Sequence, residues 1–150
     1  IFKSARFGAA VPWHQDATYL ISTPQSVFGL WIALEDATLN NGCLWVAPGH
    51  HRSPLRELYK VDWASRSGLK HPLHDQPWPM ESEAIPLEVK AGSVVIFHDH
   101  MPHKSEMNIS EKSRRALTFH CHDSRAAWSA ENWLHRRRLS PHLISAMAEL

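Results

Sequence analysis

The chain has 150 residues, which allows one domain and a sizeable core, because a chain of this length buries about 68–70 % of its unfolded surface. Hydrophobic residues make up 43 %, charged residues 21 %, and sixteen Lys and Arg against fifteen Asp and Glu leave a net charge of +1. That balance speaks against a charge-driven nucleic-acid or membrane-surface protein, and no run approaches the ~18 apolar residues of a membrane span. Two cysteines, Cys43 and Cys121, are too few for a disulfide framework and favour a reducing, intracellular setting. Twelve histidines suggest a metal, and ten prolines suggest a loop-rich β protein. The chain opens Ile1-Phe2-Lys3 without Met or a leader pattern, so the expectation is an N-terminally truncated portion of one domain.

In chain order, Val11 to Leu20 reads as a strand. Phe28 to Leu34 is rich in aromatic and branched residues and reads as a buried strand. Asn40-Asn41-Gly42 is a turn signal, since Asn and Gly tolerate positive φ. Cys43 to Ala47 is a strand stopped by Pro48-Gly49, and it is expected to pair with Phe28 to Leu34 as a hairpin with a long connection. From His51 to Pro86 the pattern dissolves around five prolines, and a lid-like loop is expected there. Leu87 to Val89 alternates, Ser93 to Phe97 is a strand, and Arg114 to His122 is another. The tail from Ser129 reads as two short helical pieces broken at Pro141. The fold class is an all-β core with minor helices.

The chemistry concentrates in Trp13-His14-Gln15-Asp16. On a strand, residues i and i+2 share a face, so His14 and Asp16 would stand side by side. Together they make two thirds of the 2-His-1-carboxylate facial triad of non-haem Fe(II) oxygenases. The third ligand must come from elsewhere, and spacing alone does not choose among His98, His100, His103, His120 and His122. His103 precedes Lys104-Ser105, a polar turn and a strand opening at Arg114. If those two strands pair, Arg114 aims its guanidinium into the same pocket, where a rigid cationic fork suits a dicarboxylate. A zinc-like His98-His100-His103 set is the competing arrangement, but it leaves His14, Asp16 and Arg114 without a task. His50 and His51 read as structural turn residues, and His71, His74, His135 and His142 as surface or loop residues. His120 and His122 read as core residues or pocket wall. Arg136-Arg137-Arg138 reads as a solvated face rather than a nucleic-acid patch, and Cys43 as a small buried hydrophobe.

The strings VPWHQDATYL, GLWIALEDATLNNGCLWVAPGHH, AGSVVIFHDHMPHKSEMN and SRRALTFH resemble the phytanoyl-CoA dioxygenase family, and the late AENWL string brings the nearer likeness to its domain-containing protein 1 branch. The resemblance runs over nearly the whole chain outside about Arg56 to Pro86. It implies a double-stranded β-helix (a jelly-roll, cupin-like) that binds Fe(II), takes 2-oxoglutarate as co-substrate and consumes O2. It implies His14, Asp16 and His103 as metal ligands and Arg114 as the partner of the 2-oxoglutarate 5-carboxylate. Ser105 would assist Arg114, and Trp31 would line the co-substrate site. Gln15 is matched with the cofactor-binding set, its side chain turned away from the metal. A lysine and a methionine that the family carries upstream of HxD have no clear match, and Lys3 is a poor candidate. The implied activity is hydroxylation of a C–H bond in a small organic substrate, with release of succinate and CO2. The alternative is a jelly-roll that binds zinc or another metal without turnover.

Overall fold

In the structure, a computed structural model that describes residues 1–134, twelve strands carry the architecture. They are β1 (Phe2–Lys3), β2 (Val11–His14), β3 (Ser22–Thr23), β4 (Phe28–Ala33), β5 (Leu44–Val46), β6 (Glu57–Asp62), β7 (Ser67–Pro72), β8 (Ile85–Leu87), β9 (Val94–His98), β10 (His103–Ser105), β11 (Arg114–Cys121) and β12 (Ala127–Trp128). One four-stranded sheet runs β1-β11-β4-β9 and another runs β2-β10-β5-β8. Every pairing between named strands is antiparallel. From β8 to β11 the chain switches sheet at each step, which is the winding of a jelly-roll. The expected double-stranded β-helix is the fold that forms.

Alternation explains how the sheets face each other. Along β4, Gly29, Trp31 and Ala33 are buried between exposed or half-buried neighbours. Along β11, Arg114 and Ala116 are buried, while Arg115, Leu117 and Phe119 face out. Trp31, Ala33, Phe97 and Ala116 from the first sheet meet Leu44 and the neighbouring Cys43 in one core. The outward face of the first sheet is apolar as well, with Ile96, Val94, Leu117 and Phe119 exposed. Its strands therefore read as buried on both faces, although one face is open among the described residues.

Several expectations are corrected. Val11 to Leu20 is not one strand. It breaks after His14, and Asp16–Thr18 forms a 3-10 turn whose Asp16 carbonyl accepts the N–H groups of Tyr19 and Leu20 at 2.9 and 3.0 Å. The strand over Phe28 to Leu34 and that over Cys43 to Ala47 do not pair as a hairpin. The connection bridges Ala37 to Val89 and carries the chain into the other sheet, where β5 sits between β10 and β8. The expected loop from His51 to Pro86 contains the β6–β7 hairpin, a 3-10 turn at Glu81–Glu83 and β8. Its prolines do not prevent this, because Pro72 ends β7 and Pro86 lies on β8, the edge strand of its sheet. The strand opening at Arg114 does not pair with that of His103: β11 lies between β1 and β4, whereas β10 lies between β2 and β5. Residues 129–134 form turns, and the helical expectation for the rest of the tail, with His135, Arg136-Arg137-Arg138 and His142, lies outside the described residues.

The expected Asn40-Asn41-Gly42 turn forms, and Gly42 is required in it. Gly42 has φ +81°, and a Cβ there would lie 2.5 Å from the Glu106 carbonyl oxygen. Gly49 shares the positive φ, +85°, but has open space around it. Gly42→Ala is therefore expected to destabilise the fold by about 1–3 kcal/mol, and Gly49→Ala by less. Urea unfolding of both variants checks this, and equal losses would contradict the steric argument.

Candidate active site

Pairing of β10 with β2 places His103 directly across from His14. Their rings stand 4.1 Å apart, centroid to centroid. The chain turns after Gln15 and brings the Asp16 carboxylate to the same point, with Oδ1 3.9 Å from His14 Nε2 and 3.8 Å from His103 Nε2. The three ligand atoms lie within 4.8 Å of one another, and this is the one such cluster of His, Cys, Asp and Glu among the described residues. The residues meet as expected, but through a strand end and a 3-10 turn rather than along one strand face.

Both imidazoles are held ready to ligate. His14 Nδ1 donates to the Pro12 carbonyl at 2.9 Å, and His103 Nδ1 donates to the Met101 carbonyl at 3.0 Å. With the proton fixed on Nδ1, each Nε2 turns its lone pair toward Asp16. Burial, reinforced by the neighbouring His14, lowers the His103 pKa to about 4, so the ring is neutral at ordinary pH. For Asp16, burial opposes the charged form, but the His120 hydrogen bond and the surrounding imidazoles overcome it and hold the carboxyl below its ordinary range. Two imidazole Nε2 atoms and one ionised carboxylate oxygen, converging on one point, fit a divalent iron.

These three residues open into a cavity of about 530 Å³ between the two sheets. Arg114 enters it from β11 and is 1 % exposed. Its Nε donates to the Gly42 carbonyl at 3.1 Å, and its guanidinium lies over the Trp31 ring at 5.4 Å. Its Nη1 is buried without a partner among the described residues. A buried guanidinium N–H left unmatched is costly unless an anion takes it. The other pocket cations are engaged: Lys104 pairs with Glu81 and Glu106 at 2.7 Å each, and Lys70 pairs with Glu57 at 2.5 Å. Arg115 points outward to Glu35 at 2.8 Å. Ser105 and Trp31 are buried and line the same cavity.

Gln15 lies outside the cavity wall. It is fully buried, its Nε2 donates to the His100 carbonyl at 2.9 Å, and its Oε1 accepts the Arg56 N–H at 3.1 Å. It thereby ties the turn between the two ligands to neighbouring loops. The His98-His100-His103 set does not form, because the His98 ring is over half exposed and turns to Asp99 rather than to His103. His50 bonds Glu83 at 3.1 Å, consistent with a structural turn. Burial raises the Cys43 thiol to about 11, which suits a small packed side chain. Lys3 is buried and donates to the carbonyls of Ala9 and Glu106.

Sequence reasoning undervalued three features. His120 bonds Asp16, and Thr118 lines the cavity; both share the inward parity of Arg114 on β11, which was the available signal. Tyr59, Val61 and Lys70 reach the cavity from the unexpected hairpin.

Residues 1–116 match the phytanoyl-CoA dioxygenase (PhyH) family. The chain belongs to the phytanoyl-CoA dioxygenase family. Within that family, phytanoyl-CoA dioxygenase 1 of Oryza sativa subsp. japonica is 43 % identical over 138 residues, covering 91 % of this chain and 48 % of that protein. Phytanoyl-CoA dioxygenase domain-containing protein 1 of Bos taurus is 43 % identical over 137 residues, covering 89 % and 47 %. The chain thus spans about half the length of these relatives. Among solved structures, EvdO2 from Micromonospora carbonacea var. aurantiaca complexed with 2-oxoglutarate superposes with a TM-score of 0.64 at 27 % identity, covering 88 % of this chain and 52 % of that one. The non-haem, α-ketoglutarate-dependent carbocyclase SnoK from nogalamycin biosynthesis gives a TM-score of 0.68 at 25 % identity, covering 96 % and 53 %.

The neutral His103 of this phytanoyl-CoA dioxygenase family member has a consequence for stability. The unfolded chain takes up that proton near pH 6.5, the folded chain only near 4. Between those values the unfolded state binds more protons, so the contribution is complete above about pH 6.5 and is lost as pH falls toward 4. In metal-free protein the loss is expected to be about 3 kcal/mol. Urea unfolding at stepped pH should show it, with a flatter profile for His103→Leu. Parallel profiles would contradict a buried neutral His103.

Proposed function

We propose that the protein is an Fe(II)- and 2-oxoglutarate-dependent dioxygenase that hydroxylates a C–H bond of a small organic substrate. The observation that carries this reading is the pairing, in one cavity, of the His14-Asp16-His103 cluster with the unmatched Nη1 of the buried Arg114. Family membership supports it, and so does the 2-oxoglutarate bound by the similar EvdO2. SnoK, named for a different outcome with the same co-substrate, supports the shared chemistry rather than one product.

His14, Asp16 and His103 would hold Fe(II) at the cavity that they line. When bound together with 2-oxoglutarate and O2, the iron supplies the oxidation, in which one oxygen atom enters the substrate C–H bond and the other enters succinate as CO2 leaves. Arg114 would pair with the distal carboxylate of 2-oxoglutarate, and a planar fork fixes its orientation as well as its charge. The Gly42 carbonyl keeps that fork aimed, and Trp31 packs against it. Ser105 would add a hydroxyl donor at the same end. The β6–β7 hairpin supplies Tyr59, Val61 and Lys70 to the wall, and Tyr59 packs on Tyr19 with centroids 5.6 Å apart. That hairpin would cover the substrate and exclude water, the role expected of a lid. No helix of the described residues is long and apolar enough to cross a membrane.

A hydrogen bond to a charged group is worth about 1.5–3 kcal/mol, or roughly 10- to 150-fold in affinity. In full-length protein, Arg114→Ala should raise the KM for 2-oxoglutarate by at least about tenfold and leave Fe(II) affinity nearly unchanged. Succinate formation at stepped 2-oxoglutarate measures this. An unchanged KM would contradict the assignment of Arg114, whereas no succinate under any condition, together with tight zinc binding, would favour a non-catalytic jelly-roll instead.

A further inference from the structure

The Asp16 carboxylate has its two oxygens committed in different directions. Oδ1 faces the Nε2 atoms of His14 and His103, at 3.9 and 3.8 Å. Oδ2 meets His120 Nε2 at 3.0 Å. These residues come from opposite sheets: Asp16 follows β2, and His120 lies near the end of β11. The contact needs a gap in the intervening wall, and Gly29 makes it. Gly29 is the cross-strand partner of His120 on β4, and a Cβ there would lie 3.3 Å from Asp16 Oδ2 and 2.9 Å from the Phe97 ring. His120 lines the same cavity with its side chain about one-third exposed.

Resting on the reading of this cluster as a metal site, the geometry points to His120 as a positioning residue that keeps Asp16 a one-oxygen ligand. A neutral His120 must carry its proton on Nε2 to donate to Oδ2. That is the opposite tautomer from His14 and His103, whose protons sit on Nδ1 against backbone carbonyls. With Oδ2 held by His120, swinging the carboxylate to offer both oxygens to one ion would cost that hydrogen bond. A one-oxygen Asp16 would leave room at a bound metal for a co-substrate that binds through two atoms. His120 touches the ligand and not the metal, so its effect passes through the orientation of Asp16.

The test uses metal-free full-length protein and Co(II) as the probe. Calorimetry gives the affinity, and the visible Co(II) spectrum reports the ligand arrangement. His120→Leu should bind Co(II) about 10- to 100-fold more weakly, with an altered spectrum. His120→Gln, which retains an N–H donor, should stay within about threefold of wild type and keep its spectrum. Wild-type affinity and spectrum in His120→Leu would overturn the inference, as would equal losses in both variants. A second readout needs no variant: nitrogen NMR of histidine-labelled wild-type protein should show His120 with its proton on Nε2. A proton on Nδ1 alone would overturn the inference. Failure of wild-type protein to bind Co(II) would instead overturn the reading of the cluster as a metal site.

Discussion

The antiparallel pairing of β10 with β2 is the constraint on which the site depends. It places two imidazoles across one ladder from each other, at the mouth of a cavity between two sheets. The backbone carbonyls of Pro12 and Met101, each two residues before its histidine, then set both tautomers without help from any other side chain. A slip of one residue in this register would turn His103 to the other face of its strand. The break in the chain after His14 matters too, because the 3-10 turn at Asp16–Thr18 is what carries the carboxylate to both Nε2 atoms.

Around this centre the protein accepts electrostatic costs that a merely structural core would avoid. A buried Arg114 with an unmatched Nη1 is expensive in a folded domain, and a His103 whose pKa is depressed to about 4 costs stability as pH falls below about 6.5. Other charged groups nearby are matched. Lys104 sits against Trp13 and Trp45 and bonds two glutamates, and Arg115 is neutralised by Glu35 outside the sheet. Arg114 and His103 both face one cavity, as expected when polar groups await ligands, whereas the buried Arg56, whose Nη2 is also unmatched, lies outside its lining.

Much of the site was legible because its cues are local. His14 and Asp16 have the i, i+2 spacing of a shared strand face, a weak cue alone, and strand parity turns only one of Arg114 and Arg115 inward, with resemblance choosing Arg114. The choice of His103 over His98 and His100 came from resemblance, because it depends on a pairing between distant segments that no local pattern encodes. Two topological expectations failed for related reasons. A connection that switches sheets looks like a long hairpin in sequence, and a real hairpin at β6–β7 is hidden by prolines that fall where a strand ends or lies at an edge. The His120–Asp16 contact was missed because it depends on Gly29 as a gap, and a glycine in a strand carries no sign of what approaches it.

The central claim is that one cavity holds a metal on His14, Asp16 and His103 and a 2-oxoglutarate anchored opposite. The most direct measurement is the visible absorption of full-length protein under anaerobic conditions, titrated with Fe(II) and then with 2-oxoglutarate. A charge-transfer band that needs both additions, and that disappears in His103→Ala and in Asp16→Ala, is the predicted result. No band in the wild-type protein, with tight zinc binding that survives His14→Ala, would contradict the account.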